Sequence, residues 1–175
     1  NLTILGLAVD VVRETNGAEI DISALPDSDA KTYEMLSAGD TFGVFQLESG
    51  GMRRAVQDLR PISIKDLAAL VALYRPGPIQ HIATYIRARH RLEKIAYPHA
   101  DLAEILDETY GVIVYQDQVL QIAQKFAGYT LGQADIMRKA MGKKKKQMMS
   151  GEEKRFLEGA VAKGYSQRLA QQIYD

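Results

Sequence analysis

Residues 116–142 read QDQVLQIAQKFAGYTLGQADIMRKAMG, and this stretch decides the expected fold class. The apolar side chains of its first half recur at helical spacing: Val119, Leu120, Ile122, Ala123 and Phe126. That spacing predicts a helix over 116–127. Gly128 interrupts the pattern, and Thr130, a residue type that caps helix starts, predicts a second helix over 131–141.

The same period recurs along most of the chain and predicts a mainly α fold. Residues that cap helix starts stand before several of the periodic segments: Ser28 or Asp29, Ser63 and Ser166. Two runs rich in aromatic and β-branched residues are typical of strands instead, FGVFQL at 42–47 and GVIVYQ at 111–116. We therefore expect an irregular multi-helix domain with two short β-strand segments.

Composition bounds the class of protein. The chain has 175 residues, which suffices for one ordinary domain or two small ones. It carries 22 Lys and Arg against 22 Asp and Glu, so its charge is balanced. The absence of cysteine excludes a disulfide framework and a thiolate metal site. No apolar run approaches a membrane span, and no signal peptide is visible.

Both ends of the chain suggest a piece of something larger. The chain starts at Asn1, without an initiator methionine and inside an apolar-periodic segment. It stops at AQQIYD, residues 170–175, before any signal that ends a helix. We expect an excised part of a longer protein.

Positive charge is concentrated around a single glycine, Gly142. The stretch MRKAMGKKKKQMM, residues 137–149, holds six cationic side chains and no acidic one: Arg138, Lys139 and Lys143 to Lys146. The negative end of a helix dipole accounts for two of these charges at most, and the others could form a solvated loop. The alternative is a grip on phosphate, because Arg offers a planar fork and Lys a compact charge. Composition leaves both readings open.

The stretch YGVIVYQDQ, residues 110–118, combines two tyrosines with two glutamines. One interpretation makes Val112 and Val114 core residues flanked by Tyr110 and Tyr115. The other places an aromatic face under a base or sugar, with amide side chains as neutral donors and acceptors.

Two other stretches could position polar groups for a ligand. FGVFQLESGG, residues 42–51, brings Gln46 and Glu48 to a Gly-Gly turn, where the backbone can approach a ligand closely. LYRPGP, residues 73–78, fixes Arg75 before two prolines. That arrangement is either an ordinary rigid turn or an aimed guanidinium.

Catalytic constellations are thin. The three histidines lack the spacing of a zinc site: His81, His90 and His99. Ser49 lies in ESGG, which is not the G-x-S-x-G pattern of a nucleophile, and no P-loop or GxGxxG pattern occurs. Asp27 and Asp29 have the spacing of a metal-binding pair, but loop and cap roles are preferred. We assign no catalytic and no metal-binding residue.

Five stretches, taken in order, resemble one family. They are GVFQLESGGM (43–52), ALVALYRPGP (69–78), ETYGVIVYQDQVLQIAQ (108–124), AGYTLGQAD (127–135) and MRKAMGKKK (137–145). Together they resemble the bacterial replicative DNA polymerase III alpha subunits, the C-family polymerases. The resemblance covers nearly the whole chain, with weaker similarity in residues 1–12 and 19–36.

The resemblance implies the fingers region of a DNA-directed DNA polymerase. Residues 1–40 would form the junction of palm and fingers and the start of the fingers, and residues 41–175 the fingers proper. The family's chemistry is phosphoryl transfer assisted by two Mg²⁺ ions. The aspartates that bind these ions lie in the palm, and the last of them comes just before the segment that residues 1–7 resemble. The chain alone would therefore be inactive. The implied partners are deoxynucleoside triphosphate (dNTP), primer–template DNA and other replicase subunits, in the cytoplasm and without a membrane.

The resemblance also carries over candidate dNTP-binding residues. The family usually has two arginines before AMGKK, and these positions are Arg138 and Lys139 here. The lysine is a departure that keeps the charge and loses the bidentate fork. Further positions match motifs expected to line or support the nucleotide pocket: Lys143, Lys144, Arg75, Gln46, Glu48, Ser49, Tyr110, Tyr115, Gln116 and Gln118. The alternative function is a non-enzymatic helical module that uses the basic face to bind nucleic acid or a protein.

Overall fold

The computed structural model describes residues 2–143 and 146–175, apart from the side chains of residues 141–149. Ten α-helices lie in this part of the chain: α1 (Leu2–Asn16), α2 (Ala30–Ser37), α3 (Gly50–Leu59), α4 (Ile64–Leu73), α5 (Ile82–Arg89), α6 (Ala103–Leu106), α7 (Gln116–Ala127), α8 (Leu131–Lys143), α9 (Lys146–Ala162) and α10 (Gln167–Tyr174). Short 3-10 turns precede α5 and α6 and follow α6. The mainly helical prediction is confirmed.

Side-chain caps start several helices; those at Asp29, Ser63 and Ser166 are where the sequence predicts them, and the cap at Ser49 was not predicted. The capping oxygens accept a hydrogen bond from the backbone N–H three residues on, at Asp29, Ser49, Ser63 and Ser166. Each cap satisfies an N–H group that would otherwise lack a partner in the first helical turn. The cap role preferred for Asp29 over metal binding is thus confirmed.

The apolar side chains form two cores. The N-terminal core is built from α2 to α5, where Leu59 of α3 packs with Leu70 and Leu73 of α4 at almost no exposure. The C-terminal core is built from α6 to α10 and is centred on Phe126 and Phe156. Complete burial of a leucine or phenylalanine side chain contributes about 1.5–3 kcal/mol, so these residues dominate the stability of each core.

One ion pair joins α5 to the start of α4 inside the N-terminal core. Arg89 donates from Nε to Oδ1 of Asp66 at 2.9 Å and from Nη2 to Oδ2 at 3.0 Å. Asp66 also accepts from the backbone N–H of Ile62 at 3.0 Å. Burial alone would raise the pKa of Asp66, but the hydrogen bonds from Arg89 and Ile62 outweigh that effect and lower it.

The two helices of the opening stretch form the centre of the C-terminal core. Helix α7 has the predicted bounds, and α8 begins as predicted but ends at Lys143, one residue beyond the glycine expected to stop it. Helix α9 crosses the end of α7 closely. Gly159 permits this approach, since a Cβ at that position would overlap the carbonyl oxygen of Ala127. Phe126 stacks on Tyr165 with ring centroids 3.8 Å apart.

The prediction of two β-strands is wrong: the described residues contain no strand. Residues 42–47 lie in two successive turns, closed by hydrogen bonds from Val44 N to Thr41 O (3.1 Å) and from Leu47 N to Val44 O (3.0 Å). The third residue of each turn has a positive φ, 80° at Gly43 and 66° at Gln46. A positive φ is incompatible with an extended strand, and it is what such turns require.

The second predicted strand, residues 111–116, has no regular secondary structure over residues 112–114 and no partner strand. The backbone N–H groups of Val114 and Tyr115 donate to the side-chain oxygen of Gln118 instead of to a neighbouring strand. A side chain thus satisfies the groups that a β-ladder would have used. A run of valine, isoleucine and tyrosine is typical of strands, yet it forms one only where another strand pairs with it.

Helix α1 has no buried residue. Its large apolar side chains are exposed, among them Leu2, Ile4, Leu5, Leu7 and Val11. Within the described residues, no helix combines the length and hydropathy needed to cross a membrane.

Candidate nucleotide site

The segment Tyr110–Gln118 joins the two cores. Tyr110, Val114 and Tyr115 pack against the N-terminal core, and Val112 is buried in it. Directly after Tyr115 the chain enters α7 of the C-terminal core. We call residues 110–118 the bridging segment, since it carries candidate site residues between the two cores.

A left-handed turn starts the bridging segment. Tyr110 has a φ of 53° and Gly111 a φ of 82°. A Cβ at Gly111 would meet the carbonyl oxygen of Ala96, so the position accepts glycine for both reasons. The ring of Tyr110 packs edge-on against Tyr85, with centroids 5.4 Å apart.

Gln118 holds the bridging segment with all four hydrogen bonds that its amide can make. Its Oε1 accepts from the N–H groups of Val114 (2.8 Å) and Tyr115 (3.0 Å). Its Nε2 donates to the carbonyl of Ile105 (3.2 Å) and to the hydroxyl of Thr109 (2.7 Å). Because the amide is buried and all its donors and acceptors are used, it fixes the backbone of the bridging segment.

Gln116 and Arg138 are brought together by the packing of α7 on α8. Gln116 is the first residue of α7, Arg138 lies in the last part of α8, and the two line one small hollow with Val119 and Leu120. Gln116 is exposed, and the side chain of Arg138 is 43% exposed. The packing of α7 on α8 thus brings two exposed polar residues to neighbouring positions on one surface.

Asp135 contacts both cations at the end of α8. Its Oδ1 accepts from Arg138 Nη2 at 2.6 Å and from Nε at 3.1 Å. Its Oδ2 lies 2.7 Å from Lys139 Nζ. The hydrogen bonds from Lys139 and then from Arg138 lower the pKa of Asp135 below its usual range. Sequence reasoning missed this carboxylate, although spacings of three and four residues on a helix would have indicated it.

A second group of candidate residues surrounds the start of α3. Ser49 caps α3, and Gln46 ends the double turn just before it. A Cβ at Gly51 would overlap the hydroxyl of Tyr74, so the end of α4 lies against the start of α3. Arg75 follows Tyr74 and is exposed, with its Nε donating to Ala72 O at 2.6 Å. The double turn, the cap and this arginine therefore share one end of the N-terminal core.

Tyr115 lies at the edge of the N-terminal core and is half-buried. Burial, and then the charge of Glu108, raise its pKa, so the phenol stays neutral at physiological pH. Lys65 Nζ and Glu108 Oε1 form an exposed ion pair nearby at 2.7 Å. Tyr115 is thus a neutral aromatic group directly before the exposed amide of Gln116.

The structure distributes the candidate residues over two groups. Gln46, Ser49 and Arg75 lie near the start of α3. Gln116 is the first residue of α7, and Arg138 and Lys139 lie in the second half of α8. The bridging segment connects the two groups. Glu48 is exposed beside Ser49. Lys143 is the last residue of α8, but the structure does not describe its side chain. Lys144 lies outside the described residues.

A cleft of about 690 Å³ lies between the two cores. Tyr110 is the candidate residue that lines it, and most of its other lining is apolar, including Val112, Ile122 and Phe156. Within the described ranges, no group of three or more His, Cys, Asp or Glu side chains could hold a metal ion. The candidate residues therefore offer cations and amides for an anionic ligand.

The sequence is similar to characterised families and proteins. The model of the bacterial DNA polymerase III alpha subunit finger domain matches residues 1–164. The chain is 49% identical to DNA polymerase III subunit alpha of Halalkalibacterium halodurans and 45% identical to that of Bacillus subtilis, over 100% of its own length in each case. It is 50% identical to the Thermus aquaticus subunit over 99% of its length. It spans only 16%, 16% and 15% of these relatives, respectively.

Proposed function

The chain belongs to the family of bacterial DNA polymerase III alpha subunit finger domains, and from this we propose that it serves as the fingers of a DNA-directed DNA polymerase. In that role it binds the incoming dNTP and contacts primer–template DNA. The observation that carries the proposal is that two exposed cations, Arg138 and Lys139, are adjacent on one turn of α8, near Gln116.

The phosphates of the dNTP are the natural ligands of this turn. Arg138 can present a planar pair of N–H donors to two phosphate oxygens, and Lys139 supplies a compact charge on the same face. Lys143 and Lys144 follow in the sequence, and we propose that they supply further positive charge for the triphosphate. Nucleotidyl transfer develops charge on these oxygens, and fixed cations stabilise such charge in the transition state.

The remaining candidates divide into contacts and supports. Gln116 and Tyr115 lie at the start of α7, where an amide and a neutral ring suit a sugar or base. Gln46, Ser49 and Arg75 offer polar groups at the start of α3.

Two candidates act from inside the protein. Tyr110 and Gln118 fix the bridging segment that carries Tyr115 and Gln116. We assign Gln118 a positioning role, since its amide has no donor or acceptor left for a ligand.

The catalytic metal would be held elsewhere in the full-length enzyme. The described residues do not fit a Mg²⁺ site, which requires several clustered oxygen ligands. We propose that aspartates of the palm supply them and that this chain alone does not polymerise. Residues 1–40 would then lie at the palm junction and residues 41–175 in the fingers of a cytoplasmic replicase that includes other subunits.

The test is removal of the Arg138 guanidinium in the full-length polymerase. We expect Arg138→Ala to raise the KM for dNTP or lower kcat/KM by roughly 10- to 100-fold, since a charge-assisted hydrogen bond contributes about 1.5–3 kcal/mol. The matched control is Lys125→Ala, which removes an exposed cation paired with Glu104 on the surface of the C-terminal core.

Two further readouts separate the proposal from its alternative. Binding of dNTP or primer–template by the wild type should weaken as salt rises, because phosphate contacts are screened. Unchanged kinetics of Arg138→Ala, together with binding that ignores salt, would favour a non-enzymatic helical binding module instead.

A further inference from the structure

Asp135 forms ion pairs with Arg138 and Lys139, the two cations that the proposed function assigns to phosphate binding. One carboxylate oxygen accepts both the Nε and the Nη2 hydrogen bonds of Arg138, and the other contacts Lys139. The Nε and Nη2 edge of a guanidinium is the edge that binds phosphate bidentately. The carboxylate thus contacts the donors that a phosphate group would need.

We propose that Asp135 competes with the incoming triphosphate for Arg138 and Lys139, and so weakens the binding of phosphate ligands at this turn of α8. This inference rests on the proposed function of the two cations and deepens it. Asp135 is a positioning residue in this role, because it acts through the cations and not on the reacting atoms.

The geometry allows exchange without any change of backbone. Asp135, Arg138 and Lys139 are spaced by three and four residues on α8, so the pairing depends on side-chain rotamers alone. All three side chains are between 41% and 60% exposed. A rotation of the aspartate toward solvent would release both cations together.

The contrast with Arg89 shows why exposure matters. Arg89 forms a similar double hydrogen bond with Asp66, but the Asp66 side chain is only 5% exposed. Release of Arg89 would leave a buried charge without a partner, which is strongly unfavourable. Release of Arg138 leaves the Asp135 carboxylate in contact with water. Breaking such an exposed ion pair should change the binding equilibrium of a ligand by no more than about fivefold.

Charge decides the direction of the effect. A phosphate that contacts both cations lies close to the Asp135 carboxylate, and like charges repel. The cost of displacing the carboxylate is the same for every ligand, whereas the repulsion grows with the negative charge of the ligand. Removal of the carboxylate should therefore strengthen binding of every phosphate ligand and help the more highly charged ones relatively most.

The experiment replaces Asp135 in the full-length polymerase with its uncharged isostere. We expect Asp135→Asn to lower the KM for dNTP about 2- to 5-fold, with a smaller relative gain in inhibition by inorganic phosphate. The gain should shrink at high salt, where the charges are screened. The matched control, Glu104→Gln, breaks the exposed Glu104–Lys125 pair at 2.6 Å and should leave both constants unchanged.

The outcomes separate this inference from the proposed function. If Arg138→Ala raises KM but Asp135→Asn leaves it unchanged or raises it, Asp135 does not compete and only the inference fails. If Arg138→Ala has no effect, the phosphate role of α8 fails with it. Asp135→Ala gives a second reading if the asparagine retains a hydrogen bond, and loss of the Asp135→Asn gain in an Arg138→Ala background shows that the effect runs through the arginine.

Discussion

Arg89 and Asp66 are joined by two parallel hydrogen bonds of 2.9 and 3.0 Å, from Nε to Oδ1 and from Nη2 to Oδ2, across the interior of the N-terminal core. We expect Arg89→Ala to lower the free energy of unfolding by about 3–5 kcal/mol, because it leaves a buried carboxylate unpaired. Urea denaturation followed by circular dichroism measures the change. Arg87→Ala breaks an exposed pair with Glu93 and should cost less than about 1 kcal/mol; equal losses for the two variants would contradict the argument.

The same carboxylate predicts a dependence of stability on pH. The folded-state pKa of Asp66 is lowered, so its contribution is fully present above the unfolded pKa of about 3.9 and is lost as the pH falls through the folded pKa. Asp66→Asn should therefore be less stable than wild type at neutral pH, and the gap should narrow below about pH 4. Stability measured from pH 2 to 7 tests this, and a gap that widens in acid would refute it.

Gln118 makes a prediction about positioning. Gln118→Met keeps the length of the side chain but leaves the N–H groups of Val114 and Tyr115 without their acceptor, at a cost of about 2–4 kcal/mol. Gln121→Met on the exposed face of α7 is the control and should be nearly neutral. In the full-length enzyme, we expect the dNTP KM to rise along with this loss of stability. A higher KM at unchanged stability would mean that Gln118 contacts the ligand itself.

Two glycines of α9 should respond in opposite directions to alanine. Gly159→Ala drives a methyl group into the carbonyl oxygen of Ala127 and separates α9 from α7, which should cost roughly 1–3 kcal/mol. Gly151→Ala meets no atom within 4 Å, and the higher helix propensity of alanine should stabilise the protein by about 0.5–1 kcal/mol. Thermal unfolding of the two variants decides the matter, and a shift of the same sign in both would count against the close crossing.

Gln46 combines backbone strain with a predicted ligand role. A non-glycine residue at a φ of 66° is strained, so Gln46→Gly should keep the fold and stabilise it by up to about 1 kcal/mol. Strain of this kind often accompanies a functional residue. We therefore expect the variant to be stable yet to have a raised dNTP KM in the full-length polymerase. An unchanged KM would assign Gln46 to the turn alone.

Helical periodicity and caps were sufficient to predict α7 and most of the other helices, because these signals are local. The first strand was wrongly predicted because residues 42–47 form two turns with positive φ at Gly43 and Gln46. The second was wrongly predicted for a reason that no local signal contains: a strand needs a partner, and the described residues supply none for residues 112–114. The basic residues were found as charges along the sequence. The proximity of Gln116 and Arg138 depends on how α7 packs against α8, and only the fold reveals it.

Buried roles were harder to predict than exposed ones. Gln118 was grouped with ligand-binding residues because of its motif, and its four internal hydrogen bonds involve residues up to 13 positions away. Asp135 lies just outside the basic stretch 137–149, so the charge pattern of that stretch does not include it. A systematic search for acids three or four residues before each cation would have found it.

Helix α1 buries none of its 15 residues, and this has a consequence for how the chain should behave toward proteases and deuterated solvent. A helix of about 15 residues without tertiary support is only marginally stable in water. Its amides should exchange far faster than those of α7, and limited proteolysis should cut within Leu2–Asn16 before it reaches either core. The chain would then be trimmed to a resistant piece that retains Arg138, Lys139 and Asp135.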